Sequence, residues 1–378
     1  MVSPAGVFPV PIAAMVVAIT AVVVSTHLPA ASPDTVTGDP PAPRVRCASF
    51  HRIAAGEDLD RTIRGIGRPG DAAWIAWSAP VIGGDRTMCC FDDLFVSGKW
   101  RGDCCGTCRL EKGSVSGIRW HDDGEVALEG ASHFFILVRV EGGVVGAIRS
   151  VSAECGLDAG PLPFHLVTGV SPLAGIDWLA TFLPRGRGEP ELADEAIAAI
   201  ALHDAPEADR VLERAAGPGN ADDAREQAIF WIGSARGRRG FEVLQRLLRE
   251  DPDGEMRGQA IFALTQSPVD GAIDLVIQTA RADRDPEVRS EALFWLANEA
   301  AERAVAPLQE ALENDPETEV RKKAVFALSQ LPADRSVPLL IDVARTHANP
   351  AVRREAIFWL GQSEDARALD FLAALLEG

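Results

Sequence analysis

Residues 288–298 read VRSEALFWLAN, and the chain repeats the phrase 32 residues to either side, as MRGQAIFALTQ at 256–266 and VRKKAVFALSQ at 320–330. AREQAIFWIGS at 224–234 and VRREAIFWLGQ at 352–362 keep the register, and a divergent first copy, ADEAIAAIALH, occupies 193–203. The anchoring alanines Ala196, Ala228, Ala260, Ala292, Ala324 and Ala356 fall 32 residues apart without a slip. At 100° per residue, positions −4, 0 and +4 around the anchor make one apolar stripe, the signature of an amphipathic helix. A second periodic stretch follows each copy, its apolar positions aligning as Phe241, Ile273, Val305, Val337, Leu369 and as Leu244, Val276, Leu308, Leu340, Leu372. Each unit is therefore expected to be a helix pair. Pairs this short cannot bury their own apolar faces, so six of them must stack into a curved α-solenoid with one continuous core.

Finer regularities refine the picture. Asp251-Pro252, Asp285-Pro286, Asp315-Pro316 and Asn349-Pro350 supply an N-cap followed by a proline preorganised for a first turn, and are expected to begin helices. The arginine three residues before each anchor, Arg225, Arg257, Arg289, Arg321 and Arg353, is expected to pair with acids of the adjacent repeat. Position +3 alternates Trp231, Ala263, Trp295, Ala327, Trp359, so the true unit is a pair of repeats. A large side chain facing a small one across each junction is read as core packing.

The pattern V-R-x-x-A-x-x-x-L-G that opens each unit resembles HEAT-like repeats of the short, bilin-lyase type, over about half the chain. Tetratricopeptide repeats fit worse because their aromatic signature uses Tyr, which this chain lacks. Ankyrin repeats fit worse because T-P-L-H-x-A is absent. The chain is also similar to deoxyhypusine hydroxylase, another short-HEAT type, which carries His-Glu dipeptides just before the anchor to hold two irons. Here position −1 is Glu291 and Glu355 but Gln227, Gln259 and Lys323 elsewhere, with no His at −2, so that activity is not implied.

Position +2 lies opposite the core stripe and should be polar. It is Phe230, Phe262, Phe294, Phe326 and Phe358, flanked at −2 by Glu226, Ser290, Lys322 and Arg354. Stacked repeats would array these five rings as a ladder along one face, and an apolar stripe with a charged rim is how a partner-binding surface looks. A tight superhelix or the first domain covering the rings is the competing expectation.

Ahead of the repeats the composition changes. All seven cysteines, Cys47, Cys89, Cys90, Cys104, Cys105, Cys108 and Cys155, lie between positions 47 and 155. That confinement is the usage of a disulfide-stapled domain in an oxidising compartment. A zinc site built from the Cys89-Cys90 and Cys104-Cys105-x-x-Cys108 thiolates stays open beside it. The stretches 73–82 and 134–140 are β-rich, with Glu141-Gly142-Gly143 turning into 144–151 as a hairpin. Residues 57–66 and 171–183 look helical, the second capped by Ser171. His51, His121, His133 and His165 lie on separate segments without metal-ligand spacing.

At the start, Ile12–Val24 is an uncharged apolar run of a length suited to a signal peptide and too short to cross roughly 30 Å of hydrocarbon. The first basic residue is Arg44, so the usual positive leader is missing, and an uncleaved anchor is the alternative. At −18, the formal net charge opposes nucleic acid as a partner, since phosphate binding needs clustered Lys and Arg.

The expectation is a mainly α protein: a signal peptide (1–32), a linker (33–45), a smaller Cys-rich α+β domain (46–184) and the HEAT-like solenoid (185–378). It would be an extracytoplasmic scaffold, periplasmic or secreted, binding a protein or peptide through the phenylalanine ladder without a cofactor, and contacting a membrane only if the first segment stays attached. The alternative is an enzyme, of oxidoreductase or lyase type, using a metal or thiol in the Cys-rich domain.

Overall fold

The computed structural model describes residues 42–66, 70–83, 95–96, 99–100, 108–111, 132–153, 155–183 and 190–377. Pro40–Gly378 forms one compact unit. The expected signal peptide, Cys89, Cys90, Cys104, Cys105 and His121 lie outside the described residues, as does the side chain of Cys108.

The first part is α+β. Its strands are β1 (Val45–Arg46), β2 (Phe50–Ala54), β3 (Ala72–Pro80), the short pair β4 (Phe95–Val96) and β5 (Lys99–Trp100), β6 (Cys108–Arg109), β7 (His133–Glu141), β8 (Val144–Ser152), β9 (Leu157–Asp158) and β10 (Phe164–Thr168). A five-stranded sheet runs β2-β10-β3-β7-β8, and a small parallel sheet runs β1-β9-β6. The hairpin expected at Glu141-Gly142-Gly143 joins β7 to β8, with Gly142 and Gly143 both at positive φ, which a side chain would resist. β3 and β7 are buried on both sides, so their side chains alternate between two cores. Trp74, Ala76, Phe135 and Leu137 face the small sheet. Ile75, Trp77, Phe134 and Ile136 face α1 (Leu59–Ile66), α2 (Pro172–Ala180) and the first repeat. Ser171 caps α2 as expected, its hydroxyl accepting from Ala174 N at 3.2 Å.

Six helix pairs follow: α3 (Pro190–Leu202) with α4 (Pro206–Ala216), α5 (Asp222–Ala235) with α6 (Gly237–Glu250), α7 (Gly254–Thr265) with α8 (Ala272–Ala282), α9 (Pro286–Glu299) with α10 (Ala301–Asn314), α11 (Thr318–Ser329) with α12 (Ala333–Thr346), and α13 (Pro350–Gly361) with α14 (Ala366–Glu377). Every anchor alanine is fully buried, and so are the −4 and +4 positions of the five regular copies, Met256, Val288, Leu264 and Leu296 among them. Of the second-helix rows, Leu244, Val276, Leu308 and Leu340 are core, but Leu369 is 56% exposed.

Two cap expectations shift by two residues. Asp285 and Asn349 cap α9 and α13, accepting from Glu287 N and Ala351 N. Asp251 and Asp315 instead close α6 and α10, while α7 and α11 start after Asp253 and Glu317. Freed from capping, these two carboxylates bind arginines. Arg225 donates to Asp251 at 2.5 Å, Arg257 to Asp283 at 2.9 and 3.0 Å, and Arg289 to Asp315 at 2.7 and 2.9 Å, each pair buried between successive repeats. His347 holds the next equivalent position and gives Arg321 no carboxylate, so Arg321 keeps the bond to the carbonyl six residues back, Asp315 O at 2.6 Å, that Arg257 and Arg289 also make; Arg353 makes the same bond to the His347 carbonyl.

The α+β part is docked on this array through shared backbone and core. Ile82 N donates to Leu202 O, Asp204 N to Pro80 O, and Ile148 N to the Glu195 carboxylate, so the end of β3 and the rim of β8 grip α3. Arg236 locks the turn after α3, donating to the carbonyls of Ala201, His203 and Ala205 and to Asp209. Among the described residues no helix is long and apolar enough to cross a membrane.

Candidate functional site

The first helices, α5, α7, α9, α11 and α13, pack on one another far more extensively than the second helices do, so the array curves with the first-helix row on its inner side. Two glycines permit the close approach. A Cβ at Gly233 would collide with the Ala263 carbonyl, and one at Gly258 with the Glu291 carboxylate. Position +2 points away from the second helices, which places all five phenylalanines on this inner face.

The rings touch in one unbroken series. Phe230 contacts Trp231 (5.5 Å between centroids) and stacks on Phe262 at 6.0 Å. Phe262 lies 4.6 Å from Trp295, which meets Phe294 at 5.3 Å. Phe294 stacks on Phe326 at 5.9 Å, nearly parallel, and Phe326 lies 4.9 Å from Trp359, which meets Phe358 at 5.1 Å. Offset and edge-to-face rings at these separations attract beyond the area they bury. The rings are half-buried, each covering part of its neighbour, except Phe358, which is 55% exposed. The ladder is thus neither freely exposed nor sealed.

The tryptophans do more than the packing expected of them. Trp231, Trp295 and Trp359 are half-buried against the core and also belong to the ladder, whereas Ala263 and Ala327 are fully buried. Trp295 and Trp359 each bridge the phenylalanines of two successive repeats, whereas among the described residues Trp231 meets only the Phe230 ring of its own repeat. Each bridging indole also fixes a carboxylate: Trp359 Nε1 donates to Glu355 at 3.0 Å, and Trp295 to Glu291. Sequence reasoning weighed Glu291 and Glu355 as failed metal ligands and missed this role. The i, i+4 spacing of Glu to Trp was the available signal.

The charge along the face is uneven. Glu226, Glu255, Glu287 and Glu291 line its first half and have no basic partner among the described residues. Burial raises the carboxyl of Glu291 above its ordinary value, with Glu255 and Glu287 adding repulsion; burial likewise raises Glu226, with Glu255, Asp223 and Asp222 adding to it. In the second half Lys322 pairs with Glu319 at 2.9 Å, and Arg354 is exposed. Ser290, expected on the rim, is buried, its hydroxyl donating to Pro286 O.

The α+β part offers weaker chemistry. Cys47 is half-buried and Cys155 buried, both against the core beside the small sheet. Burial pushes the Cys47 thiol up, which works against a thiolate nucleophile. His51 and His165 sit abreast on β2 and β10 with rings stacked at 4.9 Å, and burial, with His51 beside it, lowers His165. Among the described residues no three His, Cys, Asp or Glu side chains gather as a metal site. On the outer face of the small sheet, Arg44, Arg46, Arg109 and Asp158 line an open cleft beside Gly156, with Arg46 paired to Asp158.

Against known proteins, residues 218–297, 241–329, 273–346 and 305–378 match HEAT repeats. No curated protein matches the sequence. Among solved structures, the chain is similar to the CpcE–CpcF complex of phycocyanin lyase from Nostoc sp. PCC7120, at 20% identity over 55% of this chain and 88% of that one, with a TM-score of 0.29. It is similar to human deoxyhypusine hydroxylase at 18% identity, 54% and 90% coverage and a TM-score of 0.29. Yeast importin-beta (Kap95p) is 16% identical over 55% of this chain and 32% of that one, with a TM-score of 0.32. Likenesses at this level carry no inference about activity.

Proposed function

We propose, from the premise that residues 218–378 are a run of HEAT repeats, that this chain is a non-enzymatic interaction scaffold binding a protein or peptide along the inner face of its solenoid. The observation that carries this reading is the continuous series of eight aromatic rings from Trp231 to Phe358 on a face turned away from the core. Aromatic side chains that keep an edge open on a rigid support provide large contact area at little entropic cost, the property of binding hot spots. In this reading residues 1–32 direct export, 33–45 are a linker, 46–184 form a disulfide-stabilised cap and 185–378 bind the partner. The apolar run at 12–24 and the confinement of cysteine to 47–155 support the extracytoplasmic placement. The raised Cys47 thiol gives no support to the enzyme alternative. The test is site-specific photo-crosslinking from position 358 in cells. A discrete protein adduct that disappears when Phe294→Ala and Phe326→Ala are added supports the reading. An adduct indifferent to both substitutions, or none at all, removes the ladder as the binding face.

A further inference from the structure

We infer that the occupant of the ladder is an extended segment of a protein partner carrying Lys or Arg side chains, seated mainly over repeats two to four. This rests on the scaffold reading above and adds the chemistry of the partner.

The argument is charge complementarity on an aromatic support. Glu226, Glu255, Glu287 and Glu291 bracket the rings Phe230, Phe262, Phe294 and Trp295, and none has a basic partner among the described residues. The repeats' own buried arginines do not neutralise this face. Arg225, Arg257 and Arg289 are held by Asp251, Asp283 and Asp315 at the turns between repeats. Glu226 and Glu291 are half-buried beside the exposed Glu255 and Glu287, and like charges so placed carry unfavourable energy, which an incoming cation relieves. The rings add a second attraction, since an ammonium or guanidinium over an aromatic face within about 6 Å interacts with its quadrupole. The spacing suits an extended chain. The stacked pairs Phe230–Phe262 and Phe294–Phe326 stand 6.0 and 5.9 Å apart, and alternate side chains of an extended segment lie about 6.5 Å apart. On the other edge of the same stripe, at +6, stand the exposed amides of Gln266, Asn298 and Gln330, which suit the backbone of such a segment.

The same charges oppose other occupants. Nucleic-acid phosphates and acidic segments meet unpaired carboxylates, and a second copy of this chain brings another −18 of like sign.

The test uses the full mature chain and fluorescently labelled peptides of about 12 residues in about 150 mM salt. One alternates Lys and Arg with small residues, and the others replace every cation by Gln or by Glu. The cationic peptide should bind at least about ten-fold more tightly than the Gln peptide, and the Glu peptide should not bind. Because the whole protein is acidic, charge alone must be separated from the site. The exposed pair Glu255→Gln/Glu287→Gln and, independently, Phe294→Ala should each weaken the cationic peptide several-fold, whereas Asp342→Gln/Asp370→Gln on the second helices should not. Cationic binding indifferent to Phe294→Ala would overturn the inference as diffuse attraction. Equal binding of the Gln peptide that depends on Phe294 would overturn the inference while leaving the scaffold reading standing. No binding of the cationic peptide, or preference for a single-stranded RNA probe, would also overturn it.

Discussion

The carboxylate of Glu291 on α9 occupies the space beside Gly258 on α7 where any other residue would carry its Cβ. Gly258→Ala should therefore destabilise the protein by roughly 1–3 kcal/mol, as overpacking does in a closed junction. Chemical unfolding would show this, and the double variant Gly258→Ala/Glu291→Ala should lose less than the sum of the two single changes.

The half-buried ladder predicts an intermediate response to truncation. Phe294→Ala and Phe326→Ala should each cost roughly 1–2 kcal/mol, between the half kilocalorie of an exposed site and the 3–5 kcal/mol of a sealed core ring. Phe358→Ala, at the exposed ring, should cost about 0.5 kcal/mol or less. A full core-sized loss at Phe294 in thermal unfolding would show the face to be closed.

Removing one member of a buried ion pair leaves an uncompensated charge. Arg289→Ala should cost about 3–5 kcal/mol because Asp315 is stranded. Arg321→Ala should cost nearer 1 kcal/mol, since His347 leaves that arginine only a carbonyl partner. Equal losses in urea unfolding would refute this account of the inter-repeat ladder.

Burial between β3, α2 and α3 lowers the His203 imidazole to about 4, and Arg236 nearby opposes its charge. Its Nδ1–H donates to Ala199 O at 2.8 Å, and Nε2 meets no polar partner. The folded value lies below the unfolded one, near 6.5, so the native state resists the proton. Stability is full above about pH 6.5 and declines as pH falls toward 4, by about 3 kcal/mol in all. Asp283 and Asp315 sit below the ordinary carboxylate range and act in a lower window, losing their contribution only as pH falls through their folded values. Tm measured from pH 7.5 to 4 should show the first decline, and His203→Gln should flatten it.

Because α3 shares its core with the sheet, a fragment starting at Pro190 should be helical but less stable than the full chain. Hydrogen exchange should be fastest in α3 and α4, with α7 to α12 protected as in the intact protein. Uniform loss of protection across all repeats would show that the α+β part is required for the whole array to fold.

The repeat fold was legible because it is written locally. A 32-residue period with buried Ala anchors fixes helix pairs and their stacking wherever the copies occur. The inter-repeat arginines were legible for the same reason, and so was the +2 row of phenylalanines. What the sequence could not state was how far those rings are covered. That depends on curvature, set by how closely α5, α7 and α9 approach through Gly233 and Gly258, and no local pattern encodes it. The alternation of Trp with Ala was visible as a pattern, and the indoles do pack against the core as read, but their second role in the ladder was not legible. Position +3 lies between the buried stripe and the inner face, and the tight first-helix spacing turned the indoles toward Phe262 and Phe326.

By itself, then, the sequence determined the solenoid, its register and the line of rings, because periodic burial leaves helices one way to stack. The tertiary structure alone decided that these rings join the tryptophans and their carboxylates into one half-open, acid-edged surface, and that α3 belongs as much to the sheet as to the repeats. Both depend on contacts between segments far apart in the chain, where packing distance and local dielectric, rather than residue spacing, set the outcome.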